Sequence, residues 1–340
     1  MKVAVLSPIV WSTPPKKYGP WEQVASNVCE VLAKNGIDVT LFATGDSSTK
    51  GKLEYITHHA YGEYPEMDAK VWECLHISNI MERADEFDII HNHYDFLPLT
   101  YSRLIKTPIL TTIHGFSSPK IIPVFKKYDS NTYYVSISDS DRSAELTYEA
   151  TVYNGIDHKY FTYNKSPKDY LLFFGRIHPE KGTFESVRIA KESGRKLIIS
   201  GLIQDRAYFD EKVKPYIDDE NVVYVGNSGP KQRDKLLGEA FALLHPVSFE
   251  EPFGLSVAEA AFCGTPVIAF RRGSMPELIV NGETGYLVHN IKEAVDAVHM
   301  ISNIQRADCR SHAMAKFTKE KMVENYIQVY EQVLHKNKQS

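Results

Sequence analysis

Short β-branched and apolar runs alternate along this chain with longer segments whose apolar positions recur every three or four residues. In the first half, residues 2–7, 38–44, 88–93, 108–114 and 133–138 read as strands. Between the first two, residues 21–35 read as a helix with Val24, Val28, Val31 and Leu32 on one face and Gly36 as its stop. At Asn154-Gly155-Ile156-Asp157 the alternation pauses in a polar, aromatic-rich loop that runs to about Asp169. A second series of strands follows at 170–174, 196–200, 221–225, 242–245 and 266–270. A helical segment at about 317–334 closes the chain, with no strand after it.

Alternation of this kind predicts an α/β protein with parallel sheets covered by helices. Two series predict two Rossmann-like domains, 1–157 and 158–316, with the last helix packing back on the first. Ligands of such sheets bind at the carboxyl ends of the strands, so a central cleft faced by both sheets is the expected site.

Length and composition fit that picture. At 340 residues the chain is too long for one ordinary core and suits two domains. It is 43% hydrophobic and 24% charged, as ordinary globular proteins are. A net charge of −4 argues against a nucleic-acid partner. Cys29, Cys74, Cys263 and Cys309 show no CxxC or zinc spacing. A strand pattern begins at once, with no charged leader and no long apolar run, so the cytoplasm is the expected compartment.

Glu251 and Glu259 hold the most specific chemistry. Seven residues separate them. The first sits in a Pro/Gly loop, and the second is expected about two turns into the following helix. Ionised carboxylates suit vicinal hydroxyls, because each oxygen accepts more than one donor. A helix N-terminus suits a phosphate. Two diols with phosphates between them describe a nucleotide sugar. Upstream, Gly175-Arg176-Ile177-His178-Pro179-Glu180-Lys181-Gly182 follows the first strand of the second half. Arg176 and Lys181 there fit a diphosphate whose charge grows as a bond to it breaks. The plain alternative is a solvated loop in which Glu180 neutralises Lys181. For Glu259 it is a surface helix glutamate, although Val257, Ala258, Ala260 and Ala261 around it point to burial, where a carboxylate needs partners.

Together these segments resemble the glycosyltransferases of the large retaining family four, which have the two-domain GT-B fold. The resemblance rests on the G-R-x-x-x-E-K-G loop at 175–182, the E-x(7)-E pair at Glu251 and Glu259, and Asn154-Gly155-Ile156-Asp157 after the first half. It extends to Pro276-Glu277-Leu278 ahead of Gly282-Glu283-Thr284-Gly285. It covers essentially the whole chain and is strongest in the second half.

The resemblance implies a hexose moved from a nucleotide-diphosphate sugar to a hydroxyl acceptor: a saccharide, a lipid-linked sugar or a small molecule. Configuration would be retained by front-face attack, with the leaving phosphate taking the acceptor's proton. Arg176 and Lys181 would hold the diphosphate, Glu259 the ribose, and Glu251 the transferred sugar. The amides of Phe253, Gly254 and Leu255 would meet sugar or phosphate, and the turn at Gly226, Asn227 and Ser228 would lie near the base. His114 would contact the transferred sugar near the reacting centre. No metal or other cofactor is implied. The family's first loop has two adjacent glycines; here Gly19 is followed by Pro20, which has no N–H to offer but is a good first helical residue.

Acceptor-side candidates are Lys17, Tyr18 and Trp21 in that loop, with Trp11 and Lys16 beside them, and Tyr94 and Asp95 after a strand. The bland reading of the loop is packing on a sheet edge. His91 and His93 share a strand face and would suit a metal, but no third ligand is spaced nearby. Residues 120–127 mix basic and apolar side chains; a partly buried helix is expected there, with membrane contact peripheral at most. The competing functions are a GT-B nucleotide-sugar epimerase or phosphorylase, and a non-catalytic sugar-nucleotide-binding partner protein. The intact charged motifs weigh against all three. A dehydrogenase and a P-loop ATPase lack their glycine signatures here.

Overall fold

The computed structural model describes residues 1–16, 19–115 and 118–339. The chain forms two compact units, Met1–Gly155 with Lys319–Ser340, and Ile156–Thr318. The crossings thus lie two residues from the sequence-based boundaries at either end of the second unit.

The first unit is built on seven parallel strands: β1 (Lys2–Leu6), β2 (Asp38–Ala43), β3 (Lys52–Tyr55), β4 (Ile89–Asn92), β5 (Ile109–Ile113), β6 (Tyr133–Ser136) and β7 (Tyr148–Thr151). Their order is β3-β2-β1-β4-β5-β6-β7. Helices α1 (Pro20–Lys34), α2 (Ala69–Met81) and α3 (Ile122–Tyr128) belong to this unit. Pro20 opens α1, where a missing N–H costs nothing. The α3 helix turns Ile122, Phe125 and Tyr128 into a core cluster of its own unit.

The second unit has β8 (Tyr170–Phe174), β9 (Lys196–Ser200), β10 (Val222–Tyr224), β11 (Ala242–His245), β12 (Val267–Phe270) and β13 (Gly285–Val288). Their order is β10-β9-β8-β11-β12-β13. Its helices are α4 (Thr183–Ser193), α5 (Arg206–Tyr208), α6 (Pro230–Glu239), α7 (Leu255–Phe262), α8 (Met275–Leu278), α9 (Ile291–Met300) and α10 (Arg306–Lys316). The chain then returns to the first unit as α11 (Lys319–Asn337). There Met322, Val323, Tyr326, Val329, Tyr330 and Val333 join Val24, Val28, Val31 and Leu32 of α1 in one buried cluster. Among the described residues no helix is long and apolar enough to cross a membrane.

Strand order reverses beside β1 and β4 in one sheet, and beside β8 and β11 in the other. At such a point successive crossovers leave in opposite directions and open a crevice at the strand carboxyl ends. The residues after β4, β8 and β11 are therefore the ones each sheet presents to a ligand.

Gly182 ties two of those loops together. Its φ is +75°, and a Cβ there would sit 2.1 Å from the carbonyl oxygen of Pro246. Gly182→Ala is expected to destabilise the fold by about 2–4 kcal/mol, from the left-handed backbone and the forced shift of a neighbouring chain. Urea denaturation checks this, and an unchanged midpoint would contradict the close approach.

Candidate functional site

In the second unit, β8 ends at Phe174 and delivers Arg176 half-buried at the sheet's carboxyl edge. Arg176 donates from Nη1 to Oε1 of Gln204, 2.5 Å away. A short turn at Pro179–Lys181 then aims Lys181 back toward the loop after β11. Its Nζ lies 2.6 Å from Oε2 of Glu251 and 4.5 Å from the centre of the Phe249 ring. Both members of the pair are largely buried, with 17% and 10% of their side chains exposed, so the pair is only weakly screened. His245 places Nε2 3.4 Å from the same Glu251 oxygen. Burial alone would raise the pKa of Glu251, but His245 and the Lys181 ammonium outweigh it and lower the pKa to about 2. Lys181 is thus paired with Glu251, while Glu180 is exposed and lies 3.6 Å from His178.

Glu259 is the fifth residue of α7. It stands just over one turn into the helix and not two, because the positive-φ Gly254 delays the helix start to Leu255. Its side chain is 5% exposed and forms an ion pair with Arg233 of α6. The Arg233 guanidinium also lies 5.3 Å from the Phe161 ring centre and 5.9 Å from that of Phe174. Burial lowers the Arg233 pKa to about 10. Neither Arg233 nor His245 was a candidate from the sequence. The signal available was indirect: a glutamate among small apolar residues requires a cation, without saying which one.

Around these charges lie the backbone candidates. Gly254 caps α7 with φ +89° and no side-chain hydrogen bond, so no side chain caps the first-turn amides. Phe253 is buried and Leu255 half-buried. Gly226 turns at φ +81°, its carbonyl accepting from the Gly201 amide and the Ser200 hydroxyl. Asn227 is exposed beside it.

In the first unit, Trp21 and His114 come together. Their rings stack with centroids 5.5 Å apart and planes 19° from parallel. His114 follows β5 directly, and its Nε2 lies 2.9 Å from Nδ1 of His93, just beyond β4. Tyr94 is buried, and its amide donates to Oδ1 of Asn92. The other end of that amide side chain donates to the Asp95 carbonyl and holds Asp95 at φ +76°. Burial raises the Asp95 pKa to about 6. Lys16 is committed to Glu63 at 3.0 Å. Lys17 and Tyr18 lie outside the described residues. Gly19 caps α1, and Glu22 one turn on is buried, its pKa raised to about 7 by burial against an opposing hydrogen bond from the Trp11 backbone. Nothing in the sequence marks Glu22, because a first-turn glutamate is ordinary on a helix. No cluster of three metal-type ligands occurs among the described residues.

The family model described as Glycosyl transferases group 1 matches residues 157–321, and that described as Glycosyltransferase Family 4 matches residues 21–160. The chain belongs to the family-four glycosyltransferases. This glycosyltransferase is 24% identical over 365 residues to N-acetyl-alpha-D-glucosaminyl L-malate synthase of Bacillus anthracis, covering 93% of this chain and 94% of that protein. Its structure is similar to sucrose-phosphate synthase of Thermosynechococcus elongatus, with a TM-score of 0.80 and 18% identity over 98% of this chain and 99% of that one. It is also similar to the Anabaena protein HepE in complex with UDP, with a TM-score of 0.75 and 17% identity over 98% and 100% of the two chains. The two parallel-sheet Rossmann-like domains are those of the GT-B fold.

Proposed function

We propose that this glycosyltransferase moves a hexose, with retention of configuration, from a nucleotide-diphosphate sugar to a hydroxyl acceptor. The observation that carries the proposal is the buried Lys181–Glu251 pair at the β8/β11 reversal, with Arg176 on the same loop as Lys181. A fixed ammonium beside a fixed guanidinium suits a diphosphate, and gains strength as the leaving oxygen takes up charge. Oε2 of Glu251 is taken by Lys181, which leaves Oε1 for a sugar hydroxyl. Glu259, held by Arg233, takes the ribose hydroxyls, and the amides of Phe253, Gly254 and Leu255, at and just before the start of α7, take sugar or phosphate oxygens. Gly226 and Asn227 are assigned to the base. His114 is assigned to a sugar hydroxyl, and Trp21, Tyr94 and Asp95 to the acceptor.

In the proposed step the bond from C1 to the phosphate oxygen breaks, and the acceptor oxygen bonds to C1 on the same face. The acceptor's proton passes to the departing phosphate oxygen. The protein positions the reactants and stabilises charge; neither Glu251 nor Glu259 acts as a nucleophile.

HepE is described in complexes with UDP and with UDP-glucose, which supports a uridine nucleotide as the first donor to try. In a thermal-shift panel of UDP-, GDP-, ADP- and dTDP-sugars, one base series is expected to raise the melting point. At a hundredfold excess over Kd the native state gains about 2.7 kcal/mol. Absence of any shift at millimolar ligand would overturn the donor assignment. The anomeric configuration of the product, read by NMR, tests retention.

A further inference from the structure

The end of β4 holds a histidine pair that the donor site does not use. His91 is fully buried with both ring nitrogens engaged: Nδ1 lies 2.6 Å from the Tyr330 hydroxyl, and Nε2 lies 2.8 Å from Oγ1 of Thr112. His93 is also fully buried, yet only one of its nitrogens has a partner. Nδ1 faces Nε2 of His114 at 2.9 Å, while Nε2 is buried without a hydrogen bond among the described residues.

Burial lowers the pKa of all three rings, so each is neutral near pH 7. A neutral imidazole carries one proton. If His93 carried it on Nε2, a buried N–H would be orphaned, which is rarer and costlier than an unused lone pair. The proton therefore belongs on Nδ1, where it donates to Nε2 of His114. His114 must then accept at Nε2 and carry its own proton on Nδ1. Trp21, stacked against the ring, fixes its plane.

We infer that His93 is a positioning residue that holds His114 in the Nδ1–H form, so that His114 meets its substrate as a hydrogen-bond donor. The part of this inference that concerns substrate rests on the proposed function; the tautomer does not. A sugar hydroxyl or ring oxygen would then bind to His114 through a lone pair.

Long-range proton–nitrogen NMR of the full chain, labelled at histidine nitrogen, decides the tautomer without any substrate. Nδ1 of His114 is expected to be protonated and Nε2 bare. His93→Phe keeps a ring and removes the donor; it should shift His114 toward the Nε2–H form. It should also lower kcat roughly tenfold, with nucleotide affinity unchanged. His93→Gln, which restores a donor, should recover part of the loss. Protonation of His114 at Nε2 in the unaltered protein would overturn the inference, and that spectrum suffices even if His93→Phe fails to fold. An unchanged His114 tautomer in a folded His93→Phe would also overturn it. A changed tautomer with unchanged turnover would support the role of His93 and remove His114 from the reaction.

Discussion

Lys181→Met is expected to lower turnover roughly 100- to 1,000-fold while donor affinity changes by less than about tenfold. The asymmetry follows from when the charge appears. A bound diphosphate already carries its ground-state charge, which Arg176 can share. The oxygen that leaves the sugar gains charge only as its bond breaks, and Lys181 acts on that increment. Steady-state kinetics with direct measurement of donor binding separates the two. Equal losses in both would mean that Lys181 is a binding residue only.

The same substitution has a structural consequence that must be controlled. It strips Glu251 of its cation inside a largely buried site. Breaking such a pair costs on the order of 3 kcal/mol. The pH dependence has a definite sign. The folded-state pKa of Glu251 is about 2, below the ordinary 4.5, so its stabilisation is complete above 4.5 and is lost as pH falls through about 2. Without Lys181, only His245 still opposes burial, so the folded-state pKa rises and protonation of the carboxyl relieves part of the penalty. The stability gap between the two proteins should therefore be largest near neutrality and should narrow toward pH 3. A gap independent of pH would show that the damage lies elsewhere, and turnover is to be compared below the variant's melting range.

Much of the fold was legible because interior strands of a covered parallel sheet are continuous apolar runs. Val3 to Leu6 is fully buried, and so is the stretch from Ala242 through Leu244 but for a trace. β3, β7 and β13, all at sheet edges, are not legible in this way. Lys52–Tyr55 and Tyr148–Thr151 are half-exposed and carry charged residues, as edge strands do, so no apolar run marks them. The site divides in the same way. Lys181 and Glu251 each stood out by motif, yet their union across 70 residues is a property of the β8/β11 reversal. Arg233 lies in a helix of ordinary polar composition, and nothing local marks it as the partner of Glu259. His93 was visible through its alternation with His91, but a strand pattern shows only that two rings share a face. That one of them turns to His114 is a tertiary fact.

Arg233 and Glu259 provide the sharper separation of structure from function. Glu259→Ala is expected to weaken nucleotide binding by about 1–3 kcal/mol, through lost charge-assisted hydrogen bonds to the ribose. Arg233→Leu should do comparable harm by a different route, since it leaves a carboxylate that is 5% exposed without its cation and destabilises the unit by about 3 kcal/mol. The double variant Arg233→Leu/Glu259→Met discriminates. Removing both charges and filling the space with apolar atoms relieves the unpaired carboxylate, so much of the stability lost in Arg233→Leu should return. Nucleotide affinity should not return, because the hydroxyl acceptor is gone. Denaturant midpoints and nucleotide titrations on the same four proteins read the two quantities independently. If the double variant recovered affinity along with stability, Glu259 would be a structural residue whose only ligand is Arg233. If Arg233→Leu were as stable as the parent, the pair would not be the element that holds α6 and α7 together at this site.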